Sequence, residues 1–169
     1  MEKKVLVAYA TYYGSTSEVA QAVAERIKAH GADVDVMSVK DVKDLSPYQA
    51  VVLGSAIRSG KIHPAAEKFL EQNEDALSKV PVAYFVCCMT ARKKTEDTRS
   101  MVEGYLSETL NRVPKIKPIS TGYFAGKLEY SRLEWLARLV LKAMHTPEGD
   151  FRDWKEIEDW ADKTYPELD

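Results

Sequence analysis

The sequence predicts an α/β fold: one parallel sheet of five strands, wound so that helices cover both faces. Three observations predict it. Short apolar runs alternate with helix-length segments along the whole chain, the order that builds βαβ units. The runs are apolar throughout rather than every second residue, as expected of strands buried on both faces. No internal repeat, low-complexity tract or Pro/Ser-rich linker interrupts the alternation, so residues 1–169 read as one domain.

Each element has its own signal. Val5–Tyr9 is a buried strand, followed by the turn-rich stretch Thr11–Ser17. A helix follows with Val19, Val23, Ala24 and Ile27 on one face and Glu18, Gln21, Glu25 and Lys28 opposite. His30-Gly31 ends it, glycine just past the last turn. Val34, Val36 and Val39 suggest strand two, Ala50–Gly54 strand three and Val80–Cys88 strand four. Pro64 opens a helix expected to run to Leu77, with Ala65, Phe69, Leu70 and Leu77 facing the core. A helix over Glu96–Arg112, a fifth strand over Ile116–Thr121 and helices over Ser131–Met144 and Trp154–Tyr165 complete the chain.

Composition excludes several classes of function. With 24 basic and 26 acidic residues the chain has no general basic field for nucleic acid. The two cysteines are adjacent, Cys87-Cys88, which rules out a disulfide framework and a four-cysteine zinc site. Buried strand residues are the simpler reading of that pair than a redox couple. His30, His63 and His145 lack metal-ligand spacing. No run of about 18 apolar residues exists to cross a membrane, and the start of the chain is too polar for a signal peptide. A cytoplasmic protein is expected.

In doubly wound folds ligands bind beyond the carboxyl ends of the strands. The loop after strand one, Thr11-Tyr-Tyr-Gly-Ser-Thr-Ser17, joins hydroxyls and a glycine to a helix N-terminus, which suits a phosphate. It contains no Lys or Arg, so a terminal monophosphate held by neutral donors is expected; a plain helix cap by Ser15 or Thr16 is the simpler alternative. After strand three, Gly54-Ser-Ala-Ile-Arg-Ser-Gly-Lys61 approximates a P-loop but fails it. Five residues separate its glycines, and Ile62 stands where a magnesium-binding hydroxyl is needed. What remains is a small-residue loop on which a flat ring can lie, with Arg58 beside it. The loop Cys88–Lys94 begins small and ends basic.

These motifs resemble the flavodoxin-like FMN-binding superfamily, and more closely the menaquinone-dependent protoporphyrinogen oxidase family. The resemblance is carried by T-x-x-G-x-T at Thr11–Thr16, G-S-A-I-R-x-G at Gly54–Gly60 and A-R-K at Ala91–Lys93. It continues through F-A-G-x-L-x-Y at Phe124–Tyr130 and D-W-K-x-I-E-D-W-A at Asp153–Ala161. It implies a flavodoxin-like three-layer sandwich with strand order 2-1-3-4-5 and helices on both faces. It also implies FMN, its phosphate on Thr11, Tyr12, Tyr13, Gly14, Ser15 and Thr16. The isoalloxazine would lie between Ser55, Ala56, Ile57, Arg58, Ser59 and Gly60 on one side and Cys88, Met89, Thr90 and Ala91 on the other. Gly122, Tyr123 and Phe124 would close the rim.

The sequence departs from electron-carrier flavodoxins, which are acidic and often stack an aromatic of the third-strand loop on the flavin. That loop here offers Ile57 and Arg58, so aromatic stacking is expected either from elsewhere, with Tyr13 the candidate, or not at all. Arg58 is the expected tuning residue, a cation that stabilises anionic reduced flavin, with a surface salt bridge as the alternative. His63 is expected to cap or lie at the surface rather than shuttle protons. The resemblance implies an enzyme that passes electrons from a porphyrinogen to flavin and then to a quinone; an electron carrier without its own substrate is the alternative. Leu133–Met144 carries too many apolar residues for one narrow face, with Lys127, Arg132, Arg138 and Lys142 around them. Peripheral contact with the inner face of the cell membrane, a homodimer interface, or a helix covering the sheet remain open for it.

Overall fold

The computed structural model describes residues 3–169. The chain builds β1 (Lys4–Ala10), α1 (Ser15–Ala29), β2 (Asp33–Ser38), β3 (Ala50–Arg58), β4 (Lys61–Ile62), α2 (Pro64–Gln72) and α3 (Glu74–Leu77). It continues through β5 (Val82–Cys88), α4 (Glu96–Leu110), β6 (Pro118–Ala125), β7 (Lys127–Leu128), α5 (Trp135–Ala143), β8 (Gly149–Asp150) and α6 (Trp154–Thr164). The main strands run parallel in the order β2-β1-β3-β5-β6, which is the expected 2-1-3-4-5 arrangement once the two-residue β4, antiparallel to β3, is set aside. Successive side chains alternate across this sheet and feed two cores. Val5, Val7 and Phe85 pack with Val23, Ile27 and Ile157 under α1 and α6. Leu6, Leu53 and Tyr84 pack with Phe69, Leu70 and Val102 under α2 and α4.

Register sets the shape of the sheet's carboxyl edge. Ala10, the last residue of β1, pairs with Ser55, so β3 overhangs β1 by Ala56–Arg58. The overhang folds back through Ser59 (φ 53°) and Gly60 (φ 72°) into β4. Two left-handed residues in a row are what a two-residue hairpin requires when its twist must match that of its strands.

The other differences from expectation lie mostly at element ends. β2 stops at Ser38, with Val39 buried just past it. The helix expected to reach Leu77 breaks at Asn73, whose Nδ2 donates to Phe69 O at 2.8 Å. β5 starts at Val82, because Pro81 cannot donate to a ladder. β6 begins later than expected and runs four residues past Thr121. α4 ends at Leu110 and α6 at Thr164. The helix expected from Ser131 starts only at Trp135, after a 3₁₀ turn at Tyr130–Arg132, and none of its residues is buried. It therefore does not cover the sheet.

Gly54 lies under the ring of Phe85. A β-carbon there would sit 2.0 Å from Phe85 Cζ, and that fully buried ring is flanked by Phe124 and Trp160, each with centroids 6.0 Å away. Gly54→Ala is expected to destabilise the fold by about 1–3 kcal/mol, read as a lower urea midpoint with an unchanged m-value.

Candidate functional site

The chain leaves β1 through a turn that keeps the N-terminus of α1 uncapped. Gly14 is the N-cap residue at φ +95°, and no side chain caps the helix. Thr11 Oγ1 accepts from the Gly14 N–H at 2.9 Å, and Ser17 Oγ donates to Gly14 O at 2.6 Å. Among the described residues the N–H groups of Ser15, Thr16 and Ser17 have no acceptor. The simpler alternative, a cap by Ser15 or Thr16, is therefore not what forms. Thr16 is fully buried and its hydroxyl lacks a hydrogen-bond partner. Unpaired buried donors are rare, and three orphan N–H groups at the positive end of a helix dipole form an anion cradle.

Beside this cradle stands the β3–β4 hairpin. Ser55 Oγ accepts from the His63 N–H at 2.9 Å and donates to Ala56 O at 2.9 Å, which pins the hairpin's base. Ile57 is half-buried against the core, and Gly60 lies over Tyr105, where a β-carbon would come within 3.2 Å of its ring. Arg58 is exposed, and its guanidinium carbon lies 5.3 Å from the centroid of the Tyr12 ring. It has no carboxylate partner among the described residues, so the alternative of a surface salt bridge is not realised. The Tyr12 ring also meets His63, with centroids 4.4 Å apart and the rings tilted by 38°. Burial pushes the Tyr12 phenol up, and Arg58 partly opposes that shift. Tyr13 is exposed, with its ring 6.4 Å from that of Tyr12.

His63 is the N-cap of α2: its Nδ1 accepts from the Ala65 N–H at 3.0 Å, with Pro64 in the first turn. Across the crevice, Cys88 ends β5, and a 3₁₀ turn over Met89–Arg92 follows, closed by Arg92 Nη1 donating to Met89 O at 2.8 Å. Thr90 and Ala91 are half-buried there. Both cysteines are free and buried. Burial pushes the Cys87 thiol up to about 12, with the neighbouring Thr16 hydroxyl a smaller opposing influence.

Gly122, Tyr123 and Phe124, expected in a loop, lie within β6 and pair with Phe85, Val86 and Cys87. The Phe124 ring is buried against Phe85 and Trp160, and Tyr123 lies beneath Arg99, 4.0 Å from its guanidinium carbon. At the level of Cys88 stand Ala125 and then Gly126, which packs on the Cys88–Met89 backbone.

Sequence reading missed an excursion over residues 127–150. It leaves after β6, closes on itself through antiparallel β7 and β8, and carries α5. It reaches the anion cradle from outside. Arg132 Nη1 donates to Tyr13 O at 2.8 Å, and just past β8, Arg152 Nη1 donates to Ser15 O at 3.2 Å. Arg152 is 4% exposed and is held by Asp150 and Glu18, which push its pKa up. No local sequence signal marks these contacts, since the partners are 119 and 137 residues apart.

A parallel sheet whose strand order reverses between β1 and β3, with an anion cradle after its first strand, has the architecture of a mononucleotide-binding α/β protein. The flavodoxin domain model matches residues 6–155. The chain is 27% identical to protoporphyrinogen IX dehydrogenase [quinone] of Escherichia coli K12, over 94% of this chain and 92% of that one. It is 31% identical to the protein of the same name from Leishmania major, over 94% and 70%. A flavodoxin from the domain Archaea superposes with a TM-score of 0.61 at 17% identity, covering 98% of both chains. The chain belongs to the flavodoxin-domain family, and FMN is its cofactor. The uncapped α1 terminus and the orphaned Thr16 hydroxyl fit the phosphate of that group.

The His63 cap forms only with a neutral ring, and burial lowers the His63 pKa below 6.5. A lowered folded value makes this contribution complete above pH 6.5 and lost as the pH falls through the folded pKa. His63→Asn keeps a cap that does not titrate. The variant should gain on the wild type by about 1 kcal/mol as acid breaks the histidine cap, read from urea midpoints on both sides of that window.

Proposed function

We propose that this FMN-dependent oxidoreductase takes two electrons from a porphyrinogen of the protoporphyrinogen IX type and delivers them to a quinone. The observation that carries the reading is Arg58, an exposed arginine with no carboxylate, at the rim of the cleft and over Tyr12. Similarity over 94% of this chain to two proteins named for that reaction supports it. Bound FMN supplies the two-electron chemistry. The hairpin would place the Arg58 charge beside the ring, where a fixed cation favours the anionic reduced form. The Met89–Arg92 turn would face the ring from the other side and bring Arg92 and Lys93, neither of which has a carboxylate partner among the described residues. The likeness to flavodoxins favours a second reading, an electron carrier without its own substrate. The cationic rim counts against it, because carriers of this kind dock through acidic faces.

The test is anaerobic oxidation of protoporphyrinogen by the FMN-loaded protein with a menaquinone analogue. Turnover is expected, and Arg58→Met should lower the flavin midpoint potential and slow reduction by substrate. No turnover, with one-electron delivery to a reductase partner intact, would favour the carrier.

We further propose that α5 lies on an anionic membrane surface. Trp135 is 75% exposed, and Leu136, Leu139, Val140 and Met144 are exposed beside it. Arg132 and Lys142 flank them, while Arg138 turns inward to Tyr130 O and Leu133 O. Among the described residues no helix is long and apolar enough to cross a membrane. An apolar face bordered by cations matches a helix lying in the headgroup region. The protein should float with anionic vesicles at low salt, and Leu136→Glu with Leu139→Glu should abolish flotation. A concentration-dependent dimer that ignores vesicles would instead assign the face to a second copy.

A further inference from the structure

We propose that Arg132 and Arg152 are phosphate-positioning residues that supply, through two peptide groups, the positive charge the cradle itself lacks. The loop Thr11–Ser17 contains no Lys or Arg. Two arginines nevertheless donate to its carbonyls from the far side, and each begins a relay that ends on a donor facing the cradle.

In the first relay, Arg132 Nη1 donates to Tyr13 O at 2.8 Å. That carbonyl shares its peptide group with the N–H of Gly14, which donates to Thr11 Oγ1 at 2.9 Å. With its oxygen already accepting, the Thr11 hydroxyl has its own proton left for an anion. In the second relay, Arg152 Nη1 donates to Ser15 O at 3.2 Å. The N–H of that same peptide belongs to Thr16 and is one of the orphan groups of the cradle. A cation on the carbonyl side polarises the peptide and strengthens the donor on its other end. Both relays end within the Thr11–Ser17 turn, and both start at the ends of the 127–150 excursion.

The two arginines differ in what else they do. Arg152 is almost fully buried, and Asp150 and Glu18 take most of its hydrogen bonds. Its side chain therefore also holds the base of the excursion against α1. Arg132 is 57% exposed with a single ion pair, to Glu129, so it can be changed without removing a buried partner. The Tyr13 carbonyl would then face solvent. The inference needs FMN as cofactor and is independent of the substrate.

The experiment titrates the full chain, freed of flavin, with FMN and with riboflavin, which lacks the phosphate, by quenching of flavin fluorescence. Arg132→Ala should raise the FMN Kd about five- to tenfold and leave the riboflavin Kd unchanged. Arg132→Lys, which keeps a donor and the charge, should recover most of the loss. A double-mutant cycle adds a test of the route. Arg132→Ala and Thr11→Val should couple, because they cut the same relay; Arg132→Ala and Thr16→Val should add. An unchanged FMN Kd would overturn the proposal. So would equal loss of FMN and riboflavin, which would mean that Arg132 only holds the loop in place. Additivity with Thr11 would overturn the route through Gly14.

Discussion

The uncapped start of α1 is the constraint on which the rest of the site depends. A helix of 15 residues could be capped by Ser15 or Thr16 at a gain of about 1 kcal/mol. The left-handed Gly14 instead carries the chain into the helix so that its own N–H donates back to Thr11 Oγ1, and the first three helical N–H groups have no acceptor among the described residues. That arrangement leaves three backbone donors without acceptors at the helix start, with the buried Thr16 hydroxyl close by, and an acceptor brought from outside can satisfy the three together. An anion with several oxygens does so. The turn also fixes where the adjoining residues stand: Tyr12 faces the β3–β4 hairpin, and the carbonyls of Tyr13 and Ser15 face the excursion.

Around that point the sheet supplies a stepped edge. β1 stops one pair short of where β3 begins to overhang, and the Ser59-Gly60 turn sends the overhang back without a long loop. A two-residue turn with both φ angles positive is stiff, so Arg58 is carried on a short rigid arm rather than a mobile tip. The His63 cap and Ser55 brace the base of the arm, and Tyr12 links it to the cradle. One compact set of local contacts thus joins the phosphate end of the site to its outer rim.

The order of strands and helices was legible because apolar runs and helical periods are properties of neighbouring residues. So were the hydroxyl-rich turn before α1 and the capping option for His63, each written within about seven consecutive positions. The β3–β4 hairpin was not, because Gly54–Lys61 reads as a small-residue loop while the structure continues β3 to Arg58 and folds it back on Lys61–Ile62. The ends of β6 and α5 were not. β6 extends past Thr121 because Phe124 fits between Phe85 and Trp160, a contact between three distant segments that no window contains. The chain is diverted from Lys127 to Asp150 by a pairing of two residues with two, too short to leave a pattern. The apolar residues from Trp135 to Met144 read equally well as a buried face; only the placement of the excursion outside the two cores leaves them exposed. Arg132 and Arg152 look like ordinary surface charges in sequence, and their carbonyl partners become visible only when the excursion folds back.

The arginines around the site separate into two kinds by what their charge faces. Arg152 is sunk among Asp150, Glu18 and Ser15 O, so its charge acts at close range on the groups it bonds, the Ser15 peptide among them, and not on the wider cleft edge. Arg58 stands opposite Lys61 across the hairpin, and among the described residues neither has a carboxylate partner. Like charges in direct register weaken a strand pair, and an exposed ion pair would have added little stability in exchange. Nothing in the fold therefore needs Arg58 to be a cation. Its field extends outward over the cleft, where water and the low-dielectric wall of Tyr12 and His63 shape it. A negative group that forms or docks at that edge meets a cation with no carboxylate partner among the described residues.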